Sequence, residues 1–121
     1  MTYALTIEQK PSYLHVVITG RNNPENVEQY VADVFRECRA RGCWKVLIEE
    51  RLEGPRLGAL EIFAIVSRGS ARYVGLATAI AYVDVNAVGD TMQFAEDVAV
   101  NRAMPVKVFR SVDEAERWLL R

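Results

Sequence analysis

The sequence predicts an α/β fold in which one domain, residues 1–121, carries a mixed, mostly parallel five-stranded sheet with four flanking helices in the order ββαβαβαβα. Three observations point there. Short apolar runs alternate with longer runs of helical periodicity, which argues for crossover units. The first two runs are separated only by Lys10-Pro11-Ser12, so the chain opens with a hairpin. It closes on Val-Lys-Val-Phe-Arg followed by Ser111 and an amphipathic stretch, a strand handing over to a capped helix.

Each element has its own signal. Over residues 3–9, Tyr3, Leu5 and Ile7 alternate with Ala4, Thr6 and Glu8, as expected of a half-buried strand at or near a sheet edge. A second strand covers 13–19. Asn23-Pro24 reads as a helix N-cap and first helical residue. The stripe Val27, Tyr30, Val31, Val34, Phe35, Cys38 then runs to Arg41, with Gly42 as the stop. A third strand spans 44–50, and 51–56 is a charged loop. A second helix is expected over 57–68, a loop over 69–76, and over 77–85 a strand apolar enough to be buried on both faces. Asp90 or Thr91 caps a third helix reaching Arg102 or Ala103, with Phe94, Ala95, Val98 and Ala99 inward. After Met104-Pro105 comes a strand over 106–109. Ser111 and Glu114 then form a capping box that starts the last helix, with Ala115, Trp118 and Leu119 facing the sheet.

Composition narrows the function classes. Fifteen Lys and Arg against sixteen Asp and Glu leave a formal charge of −1, with nothing to attract a phosphate backbone, so no nucleic-acid role is expected. No apolar stretch approaches the ~18 residues of a transmembrane helix, and the N-terminus lacks the basic start and apolar run of a signal peptide. A cytoplasmic protein is expected. Cys38 and Cys43 match neither a zinc site nor a redox motif and read as free structural thiols.

The element order, with the ending Phe109-Arg110-Ser111-Val112-Asp113-Glu114-Ala115-Glu116-Arg117-Trp118-Leu119, resembles the STAS-like family. Its members are relatives of the bacterial anti-sigma-factor antagonists and of the lipid-binding SEC14 domain. The resemblance implies a non-enzymatic protein working by protein contact or by holding a small apolar ligand. In the antagonists a serine at the start of the helix after the third strand is phosphorylated. Here residues 49–58 read Glu-Glu-Arg-Leu-Glu-Gly-Pro-Arg-Leu-Gly, without Ser or Thr. The nearest hydroxyl, Ser67, lies about three turns along the helix, so the phosphoswitch is not carried over.

Chemistry is sparse. His15 is the single histidine and reads as structural. Gly-x-Ser-x-Gly, Gly-x-Gly-x-x-Gly and the P-loop are absent, and no catalytic residue, metal or cofactor is expected. Glu49 and Glu50 fall on opposite faces of their strand and read as a solvated acidic strand end. At the carboxyl ends of parallel strands, where ligands favour the crevice, Arg21, Asn23, Glu50, Asp84, Asn86 and Arg110 form a candidate rim for a ligand or partner, together with Asn22 and Arg51. The second helix has Glu61 as its only charge before Arg68. Its residues Leu57, Ile62, Phe63, Ile65 and Val66 form a candidate interface, with Ile62, Ile65 or Val66 outward, and a homodimer through this helix is expected. The rival reading is a carrier whose small apolar ligand occupies a cavity opened by Ala77, Ala79 and Ala81. An enzyme using the polar rim is a further alternative, without a convincing nucleophile or base.

Overall fold

A computed structural model describes residues 3–87 and 89–121; Met1 and Thr2 of the N-terminal stretch lie outside them. The chain runs β1 (Tyr3–Gln9), β2 (Leu14–Arg21), α1 (Pro24–Arg41), β3 (Lys45–Glu53), α2 (Ala59–Tyr73), β4 (Ala79–Asp84), α3 (Thr91–Val100), β5 (Val106–Phe109), α4 (Val112–Leu119). The strands lie in the sheet in sequence order, β1-β2-β3-β4-β5. β1 pairs antiparallel with β2, from Tyr3 opposite Gly20 to Gln9 opposite Leu14, and the other pairings are parallel.

Local chemistry explains the boundaries. Asn23 Oδ1 accepts from Asn26 N at 2.8 Å, Pro24 fills the first helical position, and Gly42 ends α1 in the left-handed region at φ 64°. Ser111 accepts from Glu114 N at 3.2 Å at the start of α4. β3 extends three residues beyond its predicted end because Arg51, Leu52 and Glu53 pair with Thr19, Gly20 and Arg21 of β2. The second helix also departs from expectation. It begins at Ala59, where Glu61 accepts from Gly58 N at 2.9 Å, and runs through the predicted loop to Tyr73. Gly69 does not stop it; the ring of Tyr73 stacks on Phe35 at 4.2 Å and holds the last turn against α1.

A sheet in sequence order with parallel crossovers places every crossover helix on one face, because each connection turns with the same hand. One core cluster accordingly joins Tyr30, Val34 and Phe35 of α1, Ile65 of α2 and Ala99 of α3 to Val16, Ile48 and Ile80 of the sheet. The opposite face carries α4 alone, with Ala115 and Leu119 buried on Leu47, Ala81 and Val83. Neighbouring strands stand about 4.8 Å apart, whereas packed helices need about 8–10 Å between axes. Three helices stepping across adjacent strand pairs therefore cannot all lie directly on the sheet. α1 settles on β2, α3 settles on β5, and α2 packs mainly on α1 and α3.

This arrangement corrects the expected orientation of α2. Ile62 and Ile65 are 8 % and 7 % exposed and face inward, and Val66 is half-buried. Leu60, at 86 %, and Phe63, at 43 %, point outward instead. Starting the helix two residues later than predicted leaves the inward arc to Ile62, Ile65 and Val66, the residues that meet the chamber below.

Ile65→Glu should therefore abolish the cooperative thermal transition, since an unpaired carboxylate in this core costs more than about 4 kcal/mol. Gly69→Ala should raise stability by up to about 1 kcal/mol in urea unfolding, because the added Cβ meets only Val31 Cγ1, at 3.8 Å.

Candidate functional site

β3 alternates with a period of two, so Val46, Ile48, Glu50 and Leu52 face the three helices while Leu47 and Glu49 face α4. Both glutamates are buried, Glu50 at 4 % exposure, which overturns their reading as a solvated strand end. On the α4 side, His15 Nε2 lies 2.8 Å from Glu49 Oε1, and Arg51 Nε donates to Glu49 Oε2. Burial opposes ionisation of Glu49, but the bonds from His15 and Arg51 outweigh it and hold the carboxyl below its ordinary range.

Glu50 is held differently. The hydroxyls of Tyr30 from α1 and Tyr82 from β4 both donate to its Oε2 and also lie within hydrogen-bond reach of each other. Its Oε1 sits 3.8 Å from Arg56 Nη1, beyond hydrogen-bond distance. Arg56 turns instead to Asp84, donating from Nη1 at 2.9 and 3.1 Å, and to the carbonyls of Leu52 and Gly54 from Nη2 at 2.7 and 3.2 Å. Burial pushes the Glu50 carboxyl up to about 8, and the charge of Asp84 adds to this while Arg56 opposes it. Burial likewise raises the Tyr82 hydroxyl.

The rest of the predicted rim separates into parts. Asn86 Nδ2 donates to Leu52 O at 2.9 Å and its backbone N–H donates to Asp84 Oδ1, so Glu50, Asp84 and Asn86 come together. Asn22 Nδ2 reaches Pro55 O at 2.8 Å, which holds the β3–α2 loop over the same end of the sheet. Asn23 serves as the α1 cap, and Arg21 runs along Gly54. Arg110 is exposed after β5 and makes no contact with the cluster among the described residues. A sheet in sequence order has no point where its strand order reverses, so no switch-point crevice singles out one strand pair. Tyr30, Tyr82 and Arg56 were not expected at a site. The available signal was parity: Glu50 shares a face with Val46 and Ile48, and a carboxyl on a core face requires polar partners.

Two adjoining chambers lie between α2 and the sheet, each of about 100 Å³. The inner one is apolar, with Val34, Phe35, Ile48, Ile80 and Met104 on its walls. The outer one ends on Asn22, Glu50, Arg56 and Asp84. Val31, Ile65, Val66, Tyr82, Met92 and Ala95 line both. The alanines expected to open a cavity do not do so: Ala79 and Ala81 face α4, and Ala77 precedes β4 against the main core. Space arises instead because α2 is crowded off the sheet. Ser67 Oγ is buried without a hydrogen-bond partner among the described residues, so it is no surface hydroxyl. Cys38 and Cys43 are free, and burial pushes the Cys38 thiol up to about 12. Among the described residues no three His, Cys, Asp or Glu side chains gather as a metal site, and no helix is long and apolar enough to cross a membrane.

The sequential sheet, with three helices on one face and one on the other, has a solved counterpart. An anti-sigma factor antagonist from Mycobacterium paratuberculosis superposes over 99% of this chain and 96% of its own, with a TM-score of 0.61 at 17% identity. The fold is STAS-like. No protein-family model matches the chain, and no curated protein matches it. At this identity the likeness is one of fold, and the Tyr30–Glu50–Tyr82 cluster is described from this chain's own residues.

A carboxyl whose pKa is raised on folding stabilises the native state fully below its unfolded value, 4.5, and loses that contribution as pH rises to about 8. The thermal midpoint should thus fall between about pH 5 and about pH 8. Glu50→Gln should flatten this decline in a circular-dichroism melting series; an unchanged slope would show that another group carries it.

Proposed function

We propose that this STAS-like domain is a regulatory module that works by protein contact rather than catalysis, and that it self-associates through the first two turns of α2. The observation that carries the reading is the outward exposure of Leu60 and Phe63 at those turns. A solvent-facing leucine is unremarkable alone, but paired with a half-exposed aromatic on the same helix it offers an apolar anchor for an interface. Arg102 stands 4.8 Å over the Phe63 ring and gives the patch a polar edge. Phe94 and Val100 are exposed on α3, which packs beside α2, and would add to the area that an interface of about 800 Å² per partner needs.

The fold neighbour is described as an anti-sigma factor antagonist, a protein that acts on another protein. That description supports contact as the mode of action here. The absence of Ser or Thr from residues 49–58 favours control by something other than phosphorylation at the start of α2. The free thiols fit a reducing cytoplasm.

Sedimentation equilibrium tests the reading. The wild-type chain should sediment as a dimer, and Leu60→Glu with Phe63→Glu should sediment as a monomer with an unchanged melting midpoint, because neither side chain supports the core. A wild-type monomer, or a double variant that still dimerises, would exclude self-association through α2.

A further inference from the structure

We propose that the chambers beneath α2 bind a small molecule with an apolar body and an amine head, the body against Val31, Ile65, Val66 and Ala95 and the ammonium group between Glu50 and Asp84. This inference does not rest on the self-association reading, which concerns the opposite side of α2.

Size sets the first limit. Two adjoining chambers of about 100 Å³ each are comparable to an engineered apolar cavity of about 150 Å³ that takes benzene, and are too small for a long acyl chain. Hydrogen bonding sets the second. Arg56 is committed to Asp84 and to the Leu52 and Gly54 carbonyls, and Glu50 Oε2 is occupied by both tyrosine hydroxyls. The Glu50 and Asp84 carboxyls stand close enough for a side-chain hydrogen bond that shares one proton, and both form part of the wall of the outer chamber. Once that shared proton is lost the wall holds two carboxylates against one guanidinium, and it calls for a cation.

Charge decides which donor. The polar end of the outer chamber holds two carboxyl groups and one guanidinium. The groups facing Glu50 are Tyr30 from α1, Tyr82 and Asp84 from β4, and Arg56 from the β3–α2 loop; α2 and α3 present Ile62, Ile65, Met92, Ala95 and Thr91 to the same chamber, and β2 sets Ile18 beside it. Arg56 bonds Asp84 and stands 3.8 Å from Glu50, so one guanidinium serves two carboxyls; the pair lacks a second countercharge, which favours a protonated Glu50. An ammonium group supplies that countercharge: it enters, Glu50 ionises, and one proton leaves to solvent, so net charge in the chamber is unchanged. A carboxylate would meet two acidic groups, and an alcohol would bind without releasing a proton.

The test is a titration of ¹⁵N-labelled protein with hexylamine, hexanol and hexanoate at about pH 6 and about pH 8. Hexylamine should shift the Tyr82 and Ala95 amides, and its Kd should fall at least about tenfold from the lower pH to the higher, because binding expels a proton. Glu50→Gln should lose that pH dependence and most of the affinity, whereas Leu60→Glu with Phe63→Glu should bind hexylamine as the wild type does. Absence of binding, equal binding of hexanol or hexanoate, a hexylamine Kd independent of pH, or wild-type binding by Glu50→Gln would each overturn the proposal.

Discussion

The burial of Glu50 is the constraint around which one end of the molecule is organised. A carboxyl on the core-facing side of a central strand has to be satisfied, and here the partners come from two other elements, Tyr30 on α1 and Tyr82 on β4. That requirement sets where α1 lies along the sheet and holds β4 in register with β3, with Ile48 opposite Tyr82 and Glu50 opposite Asp84. Asp84 in turn fixes Arg56, and Arg56 gathers the carbonyls of the β3–α2 loop. A buried polar network of this kind rigidifies a structure only when every member is satisfied.

The second organising fact is geometric. Sequential strand order places three helices on one face, and the strand spacing is too narrow to seat all of them. α2 is the one displaced, which has two effects on a single helix. Its inner side roofs the chambers, and its outer side presents Leu60 and Phe63. Contact surface and cavity are therefore two sides of one element that lacks the direct sheet packing of its neighbours.

Periodicity and capping made most of the architecture legible. Asn23-Pro24, Gly42, Ser111 and the alternation of Tyr3, Leu5 and Ile7 mark boundaries that the structure keeps, because each acts through chemistry local in sequence. The length of α2 and its orientation were not legible. A run as uniformly apolar as residues 57–66 carries little phase information, so a two-residue error in its start turned the predicted outward face inward. The cluster was legible only in halves. Glu50 and Asp84 stood out as charges at strand ends, but Tyr30 looked like one more apolar member of a helical stripe and Tyr82 like one more residue of a buried strand. Their role depends on a meeting across 20 and 32 residues of chain, which no local pattern encodes.

The distribution of helices also bears on how the chain comes together. Every strand joins its sequence neighbour, so the sheet and its three-helix layer can grow in the order of synthesis. The face bearing Leu47, Ala81 and Val83 has to wait for α4, whose Leu119 and Ala115 come last. Two bonds finish that closure: Tyr13 Oη to Glu116 Oε2 at 2.5 Å and Lys45 Nζ to Leu119 O at 2.7 Å. Until then a nascent chain on the ribosome carries a nearly complete sheet with one sticky, uncovered side. Loss or delay of α4 would thus expose the molecule to aggregation even though the chambers and the Glu50 cluster on the other side were already assembled.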